Sequence, residues 1–107
     1  MASWLNLSAD DGHEFSAYYS ESASTPSKGR VVVVQEVFGV NEHIRDVCDR
    51  LSQSGYDALA PSLFDRLEPG VQLGYSVEDV DKGRDLRSRL DWNDALNDTP
   101  ASISYLA

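Results

Sequence analysis

The run Arg30-Val31-Val32-Val33-Val34-Gln35-Glu36-Val37-Phe38-Gly39 constrains the fold more than any other stretch of this chain. Four consecutive valines predict a strand buried on both faces, as in a parallel sheet with helices above and below. Such a strand delivers Glu36 and Gly39 to its carboxyl end, and in open α/β sheets ligands bind in the crevice outside those ends. A solvated strand end is also a cheap place for a carboxylate, so Glu36 taken alone reads equally as a surface acid.

The residues that follow favour the crevice. Ile44, Val47, Cys48 and Leu51 recur at i, i+3, i+4 and i+7, one face of a helix. Asn41 suits its N-cap and Gly55 the residue just past its end. Tyr56-Asp57-Ala58-Leu59-Ala60 reads as a second short strand stopped by Pro61. Residues 30–60 therefore form a βαβ unit, with the valine strand expected to be central and the crossover right-handed.

Residues 1–20 form a predicted β-hairpin, with Leu5 and Leu7 on one face of its first arm and Phe15, Ala17 and Tyr19 on one face of its second. Asp11-Gly12 is the turn between them. Glu21 to Gly29 is a surface connection, and Asp65 to Tyr75 is a loop near the carboxyl end of the second parallel strand. Helices follow in residues 77–107. Val77 to Leu90 is highly charged, with a thin apolar stripe of Val80, Leu86 and Leu90, and reads as a surface helix. Asp91 to Leu106 carries Trp92, Leu96, Ile103 and Leu106 at helical spacing. Pro100 predicts a kink there, or a restart capped by Asp98 or Thr99.

The 107 residues make one domain at most. Nine basic against eighteen acidic residues give a net charge of −9, which argues against nucleic acid or an anionic membrane as partner. Met1 to Leu5 lacks the basic and apolar regions of a targeting segment, and no stretch approaches bilayer-spanning length. A single cysteine cannot form an internal disulfide, so the reading is a cytoplasmic protein.

Val33 to Asn41, then Ile44-Arg45, Arg50-Leu51, Gly55-Tyr56 and Ala58 to Phe64, resemble the N-terminal half of the dienelactone hydrolases, α/β-hydrolases that open enol-lactones. The likeness continues more loosely through Asp98 and Ala101 to Tyr105. It implies an α/β fold, a partial α/β-hydrolase with an N-terminal β-hairpin and then parallel βαβ strands with flanking helices. It also implies a carboxylic ester or lactone hydrolase of the carboxymethylenebutenolidase type, acting on a small substrate without a cofactor. The family works with a Cys-His-Asp triad whose cysteine sits in a Gly-x-Cys-x-Gly elbow. Neither Gly-x-Cys-x-Gly nor Gly-x-Ser-x-Gly occurs in this sequence; Gly74 to Glu78 comes closest but ends in glutamate. The expectation is a chain truncated before the elbow and inactive alone.

By the same resemblance Glu36 is the carboxylate that hydrogen-bonds and activates the nucleophilic thiol, and the Val37 N–H is an oxyanion-hole donor. Phe38 and Gly39 shape the pocket wall. The family also holds its substrate's carboxylate with arginines, and none after Tyr75 matches one.

Cys48, on the apolar face of its helix, reads as a small hydrophobe and not as a nucleophile. His43, in the first turn of that helix, reads as solvated surface, and His13 as incidental to the hairpin. His43 and Cys48 lack zinc-site spacing. Two other readings stand beside the enzyme. One is a non-catalytic βαβ binding or oligomerisation module; the other, weaker, is a receiver-like domain, for which only Glu36 fits the required acids. A central strand without its expected neighbour also predicts a homo-oligomer, with Leu96, Ile103 and Leu106 buried between copies.

Overall fold

The computed structural model describes residues 2–107; Met1, the first residue of the predicted hairpin segment, lies outside the described residues. Strands β1 (Ala2–Ser8) and β2 (Glu14–Ser20) pair antiparallel, with Leu5 opposite Ala17 and Leu7 opposite Phe15. Alternation sends these side chains to one face, where they join Ala9 and Leu59 in a common cluster. The turn closes through Gly12 N–H to the Ala9 carbonyl (2.9 Å) and Ala9 N–H to the His13 carbonyl (2.8 Å). Gly12 takes φ +89°, a left-handed conformation that glycine reaches without cost.

Strand β3 (Gly29–Val32), helix α1 (Glu42–Gln53) and strand β4 (Tyr56–Pro61) form the predicted βαβ unit, with β3 and β4 parallel. Asn41 caps α1 through its side chain, which accepts the Ile44 N–H at 3.2 Å. Gly55 follows the helix at φ +102°. The hairpin joins the same sheet, because β2 runs antiparallel to β4, and the strand order is β1-β2-β4-β3.

Among the described residues that order leaves the valine strand β3 without a neighbour on one side, as the sequence predicts, so it is an edge, but does not bury it on both faces. Its valines are half-buried, and Val34, beyond the strand end, is 59% exposed. The doubly covered strand is β4, whose Ala58, Leu59 and Ala60 are fully buried. Ala58 and Ala60 face α1 with Ile44 and Cys48, while Leu59 faces the opposite layer. The small side chains of Ala58 and Ala60 let α1 sit close, which is why so plain a segment forms the centre of the sheet.

A 3₁₀ turn (Leu63–Arg66) leaves the end of β4, and helices α2 (Val77–Arg89) and α3 (Trp92–Leu106) follow. Helix α3 covers the sheet face opposite α1, where Ala101 and Leu106 pack on the Phe15–Leu59 cluster. Leu86 of α2 joins Phe64 and Val71 in a third small core. The restart expected at Asp98 or Thr99 does not occur: α3 runs through Pro100, and the Asp98 carboxylate is engaged by Arg66. Side chains on either side of the proline donate to carbonyls before it, Thr99 Oγ1 to Ala95 (3.1 Å) and Ser102 Oγ to Asp98 (3.0 Å). No helix among the described residues is long and apolar enough to cross a membrane.

Candidate active site

The pairing of β3 outlasts the strand by one residue, Val33 N–H to the Leu59 carbonyl (2.8 Å), and the chain then runs free of the sheet into a turn at Glu36–Gly39. Gln35 anchors the entry to this turn. Its carbonyl oxygen Oε1 accepts the Leu63 N–H at 2.9 Å, tying the end of β3 to the end of β4, and its Nε2 donates to the Glu36 carbonyl at 3.1 Å. The turn closes through Gly39 N–H to the Glu36 carbonyl (3.2 Å), with Gly39 at φ +77°.

Two glycines press the turn from opposite directions. A Cβ on Gly39 would lie 2.1 Å from the Val71 carbonyl oxygen, and one on Gly83 of α2 would lie 2.2 Å from the Val37 carbonyl oxygen. Both backbones approach closely because neither residue has a side chain. The loop before α2 adds Leu73 N–H to the Phe38 carbonyl (2.9 Å), while Phe38 meets Tyr75 edge-on at 4.6 Å. Asn41 Nδ2, in turn, donates to the Leu73 carbonyl at 3.0 Å. The peptide that carries Val37 is therefore fixed on both sides.

Glu36, Val37 and Phe38 border one cleft of about 430 Å³, within the size range of small-molecule sites. Its floor is apolar and buried, formed by Leu63, Phe64 and Ala95. Val34 and Trp92, 59% and 74% exposed, stand at its rim. Gly39 does not border this cleft; it is buried against Val71 and shapes the turn from behind. Arg87 is the one cation among the cleft-lining residues, and among the described residues neither it nor Glu36 forms an ion pair. The Val37 N–H likewise has no protein acceptor among the described residues.

The sequence reading missed Arg87 and Trp92. The signal for Arg87 was its place four residues after Gly83 and one after Leu86, on the stripe by which α2 packs. Trp92 was grouped with the apolar spacing of α3, but as the first residue of that helix it lies at the cleft mouth and not over the sheet. Cys48 is fully buried under α1, and burial pushes its thiol up to about 12, so it is inert as a nucleophile. His43 is exposed in the first turn of α1, and His13 stacks on Phe15 at the hairpin turn. Neither borders the cleft. No group of three or more His, Cys, Asp or Glu among the described residues could hold a metal.

The model of the dienelactone hydrolase family matches residues 15–107. The chain belongs to the dienelactone hydrolase family. A Synechocystis protein named "Putative carboxymethylenebutenolidase" is 38% identical over 92 residues, 86% of this chain and 37% of that protein. The "Carboxymethylenebutenolidase" of Pseudomonas putida is 31% identical over 102 residues, covering 94% of this chain and 43% of that one. The crystal structure of a "Putative Dienelactone Hydrolase" from Klebsiella pneumoniae superposes with a TM-score of 0.73 at 31% identity, over 99% of this chain and 44% of that one. The four-stranded sheet and its helices thus have the dienelactone hydrolase fold over the part the chain spans, which is less than half the length of each of these relatives.

Proposed function

We propose that this chain supplies the Glu36 wall and an oxyanion donor to a carboxylic ester or lactone hydrolase of the carboxymethylenebutenolidase type. The observation that carries the reading is the convergence of Glu36, Val37 and Arg87 on one apolar cleft at the end of β3. In the whole enzyme a thiol nucleophile enters this cleft from a Gly-x-Cys-x-Gly elbow, a motif this sequence does not contain. Glu36, exposed at the cleft in this chain, is the carboxylate placed to accept the thiol proton, the thiolate being the attacking species. The Val37 N–H, held by the flanking glycines, then faces the oxygen on which negative charge develops. Arg87 receives a carboxylate of the substrate, for which the guanidinium fork is suited.

The 107-residue chain alone should hydrolyse neither dienelactone nor activated aryl esters above buffer, because it brings no nucleophile to the cleft. Turnover by this chain that vanishes in Cys48→Ser would overturn the assignment. In a protein carrying the elbow, Glu36→Ala should lower turnover by about 10²–10⁴-fold without unfolding, the range for loss of a proton-transfer group.

A second reading, a binding or oligomerisation module, is favoured by the open outer edge of β3 and by Leu96 and Ile103, which are 62% and 56% exposed on α3. Under it, light scattering finds a homo-oligomer at micromolar concentration, and a stable monomer removes it. Leu106 packs on the sheet and is only partly exposed, so it offers less surface to such a contact than Leu96 and Ile103. The lone buried thiol fits residence in the reducing cytoplasm.

A further inference from the structure

We propose that Trp92 is the specificity-determining residue of this cleft and selects substrates that carry a flat aromatic group alongside their anion. The inference rests on reading the cleft as the ester-binding site. Its lining is arranged as a slot. Leu63, Phe64 and Ala95 close the bottom at 7%, 3% and 5% exposure, Phe38 is half-buried in the wall, and Trp92 stands at the mouth at 74% exposure. An indole so open to water has its face unpartnered, and the residues around it give a planar ring apolar surface to rest on. An aliphatic group of similar volume fills the floor but gains no stacking on the indole.

The platform is held in place, which a specificity residue needs. Trp92 is the first residue of α3, directly after the N-cap Asp91, whose side chain accepts the Asn93 N–H at 2.8 Å. Two and six residues further on, Asp94 and Asp98 bind Arg66, at 3.4 Å and 2.8 Å. Arg66 ends the same 3₁₀ turn that contributes Leu63 and Phe64 to the floor. The ion pairs therefore tie the rim that carries Trp92 to the floor beneath it.

Charge sets which way round a substrate lies. Arg87 is the one cation among the lining residues and Glu36 the one carboxylate. An anionic substrate group is drawn to Arg87 and repelled by Glu36, which leaves the neutral carbonyl for the Glu36–Val37 turn. Arg87 and Trp92 flank the short link between α2 and α3, so anion and ring are received by neighbouring residues on one rim. The substrate class is an aryl-bearing, singly anionic ester or lactone.

The test is a binding titration of the 107-residue chain with 2-naphthoate, cyclohexanecarboxylate and 2-naphthylmethanol, followed by calorimetry and by Trp92 fluorescence in a Trp4→Phe background. Saturable binding of 2-naphthoate with quenching is expected. Trp92→Ala should weaken it by about tenfold, as loss of one stacking partner typically does, while changing cyclohexanecarboxylate less than twofold. Trp92→Phe should recover most of the affinity, and circular dichroism checks that each variant is folded. Absence of saturable naphthoate binding, or equal weakening of both acids by Trp92→Ala, overturns the proposal. The hydrolase reading fails separately: naphthoate selectivity without esterase activity in a protein that carries the elbow refutes that reading alone, whereas hydrolysis indifferent to aryl and cyclohexyl groups refutes the role of Trp92 alone.

Discussion

Arg66 and Asp98 meet in a two-pronged pair, Nε to Oδ2 at 3.2 Å and Nη2 to Oδ1 at 2.8 Å, across 32 residues of sequence. Asp98 is fully buried and the Arg66 side chain is only 10% exposed. The other edge of the guanidinium forks onto Asp11 at 2.7 and 3.1 Å. One cation thereby joins the hairpin turn, the 3₁₀ turn and α3. Its hydrogen bonds to Asp11, then those to Asp98, hold the guanidinium even further above its ordinary range.

Removing the cation strands a buried carboxylate, which typically costs about 3–5 kcal/mol. Arg66→Met should therefore lower the unfolding free energy by roughly that amount in urea denaturation. Arg66→Lys should recover only part of the loss, because an ammonium cannot fork onto two carboxylates at once. A loss below about 1 kcal/mol in Arg66→Met would mean that Asp98 is satisfied in some other way.

Acid should act through Asp11. The Arg66 hydrogen bonds, then the His13 backbone N–H, lower its carboxyl from 3.8 to about 2. A depressed folded-state value contributes stability that is present above 3.8 and lost as pH falls through about 2. Asp11→Asn should flatten the melting temperature against pH between 2 and 4, lying below the parent at pH 7 and converging with it in acid, by a small amount because the group is exposed and its pair partly screened. An unchanged acid slope would place the effect on other carboxylates.

The fold was legible where a local rule and the tertiary structure agree. Asn41, Gly55 and Pro61 mark the ends of α1 and β4 through backbone preferences that packing does not override. The valine run misled because burial belongs to a strand's neighbours and not to its composition. Val31 and Val32, read as buried on both faces, are only half-buried beside the open edge, while Ala58, Leu59 and Ala60 are fully buried. Asp98 misled for the same reason, since its partner is 32 residues away and no local pattern announces it. The turn at Glu36 could be read from its motif, but Gly83 and Arg87 reach it through the packing of α2, a relation that helical spacing allows without identifying the face's target.

Two glycines with positive φ separate crowding from backbone strain. Gly12 at φ +89° has open space where a Cβ would go, while Gly39 at φ +77° faces the Val71 carbonyl oxygen at 2.1 Å. Both alanine variants pay roughly 1 kcal/mol of left-handed strain, but only Gly39→Ala must also push backbone aside, at about 1–3 kcal/mol more. Gly83→Ala should likewise destabilise, although alanine is normally worth about 1 kcal/mol over glycine inside a helix. Equal melting temperatures for Gly12→Ala and Gly39→Ala would show that the turn relaxes freely and does not fix the Val37 peptide.

Cys48 gives a readout of the α1 layer that needs no substrate. Its side chain is fully buried among Val40, Ile44, Ala58 and Ala60, and that burial, followed by the nearby Asp49 charge, raises its thiol from 9.0 to about 12. The neutral thiol is the form the core accepts, so its contribution to stability is complete below 9.0 and disappears as pH rises towards about 12. An aromatic disulfide reagent at pH 8 should leave Cys48 unlabelled in the folded chain and label it fully in urea, with the native rate limited by opening of α1. Cys48→Ala should remove the part of the alkaline destabilisation that sets in above 9.0, at the cost of a small cavity. Fast native-state labelling would mean that α1 leaves the sheet readily, and with it the Asn41 cap that follows the Glu36 turn.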